Sequence, residues 1–92
     1  MMTNQERITA ITARLKEQLQ PSKLVIDDES HLHAGHAGAA GGAGHFRITM
    51  TAQAFTGLNS VARHRLVYAA LKELMPHEIH ALAIHALAPN ES

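Results

Sequence analysis

A chain of 92 residues leaves room for a single domain, and one this short buries only roughly 60% of the surface its unfolded form exposes. Eight basic residues balance eight acidic ones, so no net charge draws the chain to phosphate or to an anionic surface. There is no cysteine, which excludes disulfides, thiolate nucleophiles and any metal site built from the chain's own thiolates, whereas histidine is present eight times.

The first element is a helix. Thr3 and Glu6 are spaced as a capping box, Ile8, Ile11, Leu15 and Leu19 recur at helical spacing, and Pro21 ends the run. Lys23 to Asp28, with Leu24, Val25 and Ile26 at its centre, is expected to form a strand. There follows a stretch, HLHAGHAGAAGGAGHF (31–46), with four histidines and five glycines and little to sustain a helix or strand. Residues 31–43 are therefore expected to be the least ordered internal segment.

From His45 to Thr51 apolar and polar residues alternate. Phe46, Ile48 and Met50 face one way, and His45, Arg47, Thr49 and Thr51 the other, which predicts a half-buried strand antiparallel to the first. Phe55-Thr56-Gly57 predicts a turn or short helix. A longer helix, capped by Asn59 or Ser60, should run to about Met75 and stop at Pro76. Its core face is Val67, Ala70, Leu71 and Leu74, with Val61, Arg65, Tyr68 and Lys72 on a second stripe. Glu78 to Leu87 closes the chain as a third strand, with His80, Leu82, Ile84 and Ala86 on one face, ahead of a tail at 88–92. Strand, helix, strand implies a right-handed crossover to a parallel neighbour. The expected fold is α+β in the order α-β-β-α-α-β, a three-stranded mixed sheet with helices on one face. No run is long and apolar enough to span a membrane and no signal peptide heads the chain, so a cytoplasmic protein, monomeric when free, is expected.

Four pieces of the sequence carry a resemblance to a known family. They are DES (28–30) followed by the histidine-bearing loop, HFRITM (45–50), FTGLNSVARHRLVYAAL (55–71) and IHALAIHA (79–86). Together they resemble the BolA family almost end to end. The resemblance implies a class II KH-like fold, in agreement with the element order read from periodicity. It also implies partnership with a monothiol glutaredoxin, the two proteins holding a [2Fe-2S] cluster between them with glutathione, in iron sensing or cluster trafficking. Some bacterial members are instead described as DNA-binding transcriptional regulators of cell shape and stress response.

The family's two cluster ligands are a histidine or cysteine in the first interstrand loop and the histidine of the last strand. The latter maps to His80. The former maps to His33 by counting from Glu29-Ser30, with His36 and then His31 as alternatives and His45 placed to lie near the metal. Imidazole is a competent replacement for thiolate on one iron of such a cluster, and a chain without cysteine needs a partner for the other ligands. On spacing alone, however, His80 shares a face with Leu82 and Ile84 and reads as a hydrogen-bonded core histidine. His64 reads as a packed structural histidine with a fixed tautomer, and His77 and His85 as solvent-facing.

Arg63, Arg65, Tyr68 and Lys72 form the best basic patch. It reads either as an ordinary solvated helix face or as a contact for the partner or for phosphate. It has few aromatics for base stacking. The nearest approach to the Gly-x-x-Gly clamp of KH domains, GAAGG (38–42), lies between strands instead of helices. No nucleophile sits beside a base and an acid, and Asp27, Asp28 and Glu29 alternate faces of a strand, so catalysis is not expected.

Overall fold

The computed structural model describes residues 2–30 and 43–91. The expected disorder of 31–43 therefore falls almost wholly outside the described residues. Helix α1 (Asn4–Leu19) begins with a complete capping box, in which the Glu6 N–H donates to Thr3 Oγ1 at 3.1 Å and the Thr3 N–H donates to Glu6 Oε1 at 2.8 Å. It ends at Gln20, whose N–H still bonds the Lys16 carbonyl and whose left-handed backbone (φ 49°) turns the chain out of the helix just before Pro21.

Strand β1 (Lys23–Asp28) pairs antiparallel with β2 (Gly44–Thr51), with Ile26 opposite Ile48, and β2 pairs parallel with β3 (Ile79–Leu87), with Ile48 opposite Ile84. The sheet order is β1-β2-β3, so the strand read as half-buried is the central one. This position explains why His45 and Thr51, on its polar face, are buried together with Phe46, Ile48 and Met50.

Helix α2 (Ser60–Leu71) crosses between β2 and β3. Asn59 caps it, its Oδ1 accepting from the Ala62 N–H at 2.9 Å. The helix is shorter than its periodicity implied: a 3-10 turn, Lys72–Leu74, replaces its last turn before Pro76. The short helix expected before it is likewise a 3-10 turn, Gln53–Phe55. Gly57, at φ 78°, turns the chain from there into the Asn59 cap, a backbone state that costs a residue without Cβ little.

Both helices cover one face of the sheet. Ile11 and Leu15 from α1, Val67 and Leu71 from α2, Phe46, Ile48 and Met50 from β2, and Phe55 and Ile79 make the core. Leu24 and Ile26 of β1 and Leu82, Ile84 and Ala86 of β3 pack at its margin. On the opposite face of β1, Val25 is 53% exposed. Among the described residues no helix is long and apolar enough to cross a membrane.

Candidate metal centre

The face assigned to His80 by alternation is wrong. Gly44 lies opposite Ile79 but His45 lies opposite Ala81, so His80 is an extra residue bulged out of the β2–β3 ladder. The bulge resets the phase of the strand: Ile79 is fully buried, and Leu82, Ile84 and Ala86 rejoin it on the core side, while His80 is exposed. His80 is therefore not a core histidine. Its ring stands beside that of His45, with centroids 5.1 Å apart and planes tilted by 51°.

A bulge needs fixed neighbours if it is to aim one side chain. Glu78, just before it, donates its N–H to the Leu74 carbonyl at 2.9 Å and accepts the Gly44 N–H at 3.0 Å. At Gly44 a Cβ would land inside the ring of Phe46, which is itself core, so β2 begins with the residue that has none. The two ends of the histidine-bearing segment meet here as well. Ser30 Oγ accepts the His45 N–H at 3.1 Å, and the Glu29 N–H donates to the His45 carbonyl at 2.8 Å. His31, His33 and His36 lie outside the described residues, but the chain enters and leaves their segment within hydrogen-bonding distance of His45. Among the described residues no three His, Cys, Asp or Glu side chains come together to hold a metal. His45 and His80 are two imidazoles that the described residues bring side by side, and a metal here would need further ligands from elsewhere.

On the outer sheet face a shallow groove of about 220 Å³ runs past His45, lined also by Glu29, Arg47, Ala81 and Ala83. Arg47 donates from Nε to Glu29 Oε2 at 2.9 Å along its wall.

The predicted basic patch is divided. Arg65, Tyr68 and Lys72 stay on the outward stripe of α2 with Val61, which is 59% exposed; neither cation makes an ion pair among the described residues. Arg63 is engaged elsewhere. It donates to the carbonyls of Leu58 and Ala86 and holds Glu91 in a bidentate pair. Glu91 also accepts the Ala88 N–H at 2.9 Å, so the residues read as a tail form a fastened 3-10 turn, Pro89–Glu91. His64, half-buried, donates from Nδ1 to the Ser60 carbonyl at 2.8 Å, so its Nδ1 carries a proton. His77 and His85 are exposed.

The Arg63 pair predicts a pH response. Hydrogen bonds from Arg63, then from the Ala88 N–H, lower the Glu91 carboxyl from 4.5 to about 2. A depressed folded value means that the pair stabilises the turn fully above about 4.5 and is lost as pH falls through about 2. The Glu91 side-chain resonance should therefore titrate near the lower value in the folded protein. A midpoint above 4 would show that the pair does not form.

Sequence reasoning missed Arg7, Asn4, Ser30 and Glu78. Arg7 precedes Ile11 and Leu15 by one and two helical turns and so lies on the buried stripe. It is 4% exposed, and its charge is matched by Glu78 at 3.0 Å. The spacing was readable, but the partner, 71 residues away, was not.

A mixed three-stranded sheet, two helices on one face and an exposed histidine bulged from an edge strand define a small α+β domain with imidazoles gathered at one end of its sheet. The chain belongs to the BolA-like protein family, whose model matches residues 15–91. It is 41% identical over 91 residues to the Arabidopsis thaliana chloroplastic protein BOLA1, covering 96% of this chain and 57% of that protein, so it spans less than two thirds of that relative. It is 36% identical over 81 residues to the DNA-binding transcriptional regulator BolA of Haemophilus influenzae, covering 88% of this chain and 76% of the relative. The solved BolA domain of SufE1 from Arabidopsis thaliana superimposes with a TM-score of 0.80 at 36% identity, over 91% of this chain and 93% of that one.

Proposed function

We propose that this domain is a cluster-carrying partner protein. It docks on a monothiol glutaredoxin in the cytoplasm and contributes imidazole ligands to a [2Fe-2S] cluster that both proteins hold as cargo. The observation that carries this reading is the bulge. It turns the histidine of the last strand out of the core and stands it beside His45, where the histidine-bearing segment begins and ends.

His80 would supply one imidazole and His33 the other, with His36 or His31 able to substitute because all three share one glycine-rich segment. The glutaredoxin and its glutathione would supply thiolates, which this chain lacks entirely. Two imidazoles in place of two thiolates raise a cluster's reduction potential. The role of the domain is thus to bind and orient, without catalysis. Arg65, Tyr68 and Lys72 offer the partner an exposed stripe whose cations make no ion pair among the described residues. Arg63 would act indirectly, by fastening the C-terminal turn.

The test is co-purification with a monothiol glutaredoxin, followed by visible absorption and circular dichroism of the complex. A cluster spectrum distinct from that of glutaredoxin alone supports the proposal, and its absence sinks it. A second reading, DNA-binding regulation, is favoured by the name of the Haemophilus influenzae relative and by Arg65 and Lys72, which are exposed and make no ion pair among the described residues. It requires salt-sensitive, sequence-selective DNA binding by the isolated chain.

A further inference from the structure

We infer that Arg7 is the positioning residue of this centre: from the first turn of α1 it locks the entry of β3, and so fixes where the bulged His80 points. This rests on the cluster reading above but makes a claim about the free chain as well. Arg7 is buried, with 4% of the residue exposed. Its Nε donates to Glu78 Oε1 at 3.0 Å and its Nη1 to Asn4 Oδ1 at 2.6 Å. The amide nitrogen of Asn4 donates in turn to Ser30 Oγ at 3.3 Å, and that oxygen accepts the His45 N–H at 3.1 Å. One chain of hydrogen bonds therefore runs from Glu78, two residues before His80, through Arg7 and Asn4 to Ser30 and the backbone of His45.

The described flanks of the candidate centre are tied to this chain. Ser30 is the last described residue before the histidine-bearing segment, His45 follows it, and Glu78 leads into the bulge. The bulge has fixed pairs on both sides, Gly44 with Ile79 and His45 with Ala81. On its N-terminal side the anchors are the two backbone bonds of Glu78 and the Arg7 ion pair. A bulge leaves one residue of the strand extra, and something must determine which. The Arg7–Glu78 pair does so here, because moving Glu78 by one residue would strand a buried guanidinium. Arginine is required in preference to lysine, because one planar group must serve two acceptors in two directions.

The test is Arg7→Lys, which keeps the charge but not the fork, studied free and in complex with a monothiol glutaredoxin. In the free protein the readout is the ring-proton nuclear Overhauser effect between His45 and His80. In the complex it is the lifetime of the [2Fe-2S] cluster. The folded variant should lose the ring–ring effect and shed the cluster about 10-fold faster or more, the usual scale for losing a group that orients a ligand. Arg14→Lys, which disturbs the exposed Arg14–Glu73 pair on the same helix, should change neither. A folded Arg7→Lys protein with the wild-type ring contact and a cluster lifetime within about twofold of wild type overturns the inference. Should Arg7→Lys not fold, Glu78→Gln decides by the same two readouts. If the wild-type complex holds no cluster, the cluster reading fails, and the ring contact in the free protein alone judges Arg7.

Discussion

Replacing His80 with alanine should leave the domain folded, while the cluster held with a glutaredoxin becomes labile. His80 is exposed and bulged out of the ladder, so truncating it removes little packing, and the pairs on either side involve backbone alone. What is lost is an iron ligand, and no thiolate of this chain can take its place. The loss should exceed the roughly 10–100-fold cost of removing a group that only orients a ligand. His33→Ala should act in the same direction but less strongly, since His36 and His31 lie within three residues of it, and the double change at His33 and His36 should be worse than either alone. The measurement is the visible circular dichroism of each variant complex and its decay, with glutaredoxin alone as baseline. A wild-type spectrum and lifetime in the His80→Ala complex would remove His80 from the ligand set.

Phe55→Ala should be the most damaging substitution for stability. Phe55 closes the 3-10 turn between β2 and α2, and its side chain is fully buried. Around that side chain the backbone is already committed: the Ala52 N–H bonds the Leu87 carbonyl, the Phe55 N–H the Ala52 carbonyl, and the Leu58 N–H the Phe55 carbonyl. The turn therefore cannot collapse into the space vacated. Truncating a buried phenylalanine costs about 3–5 kcal/mol. That is a large part of the roughly 5–15 kcal/mol by which a domain is stable. At about 4–8 °C per kcal/mol for a chain of this size, the thermal midpoint should fall by more than about 12 °C. Thermal denaturation followed by far-ultraviolet circular dichroism measures it, and a fall of under about 5 °C would mean that the turn repacks.

The elements of this fold were legible because each is a local matter. The Thr3–Glu6 box, Pro21, the alternation through Phe46, Ile48 and Met50, and the Asn59 cap all act within a few residues. The BolA-like family motifs were legible for the same reason. The candidate centre was only half so. Alternation assumes an unbroken pleat, and it placed His80 with Leu82 and Ile84. The pleat breaks between Gly44, where a Cβ would meet the Phe46 ring, and His45, and on the facing strand Glu78 is bonded to Arg7 across 71 residues. Neither Gly44 nor Arg7 lies near His80 in sequence. Arg63 was misplaced on the outward patch for a like reason, since its acceptors are the Leu58 and Ala86 carbonyls and Glu91, and three-residue spacing says nothing of them.

The fastening of Ser30 and His45 to each other, and of Ser30 to Asn4, separates two properties that are usually traded against one another. The sheet and α1 close the arc between these residues from outside it, through bonds made by Ser30 and His45 themselves. Doubling the length of a closed arc costs only about 0.6 kcal/mol. Insertions or deletions within 31–42 should therefore cost little stability, while Ser30, Gly44 and His45, and His80 beside them, keep their places. The fold supplies a constant address and leaves the message written there free to vary.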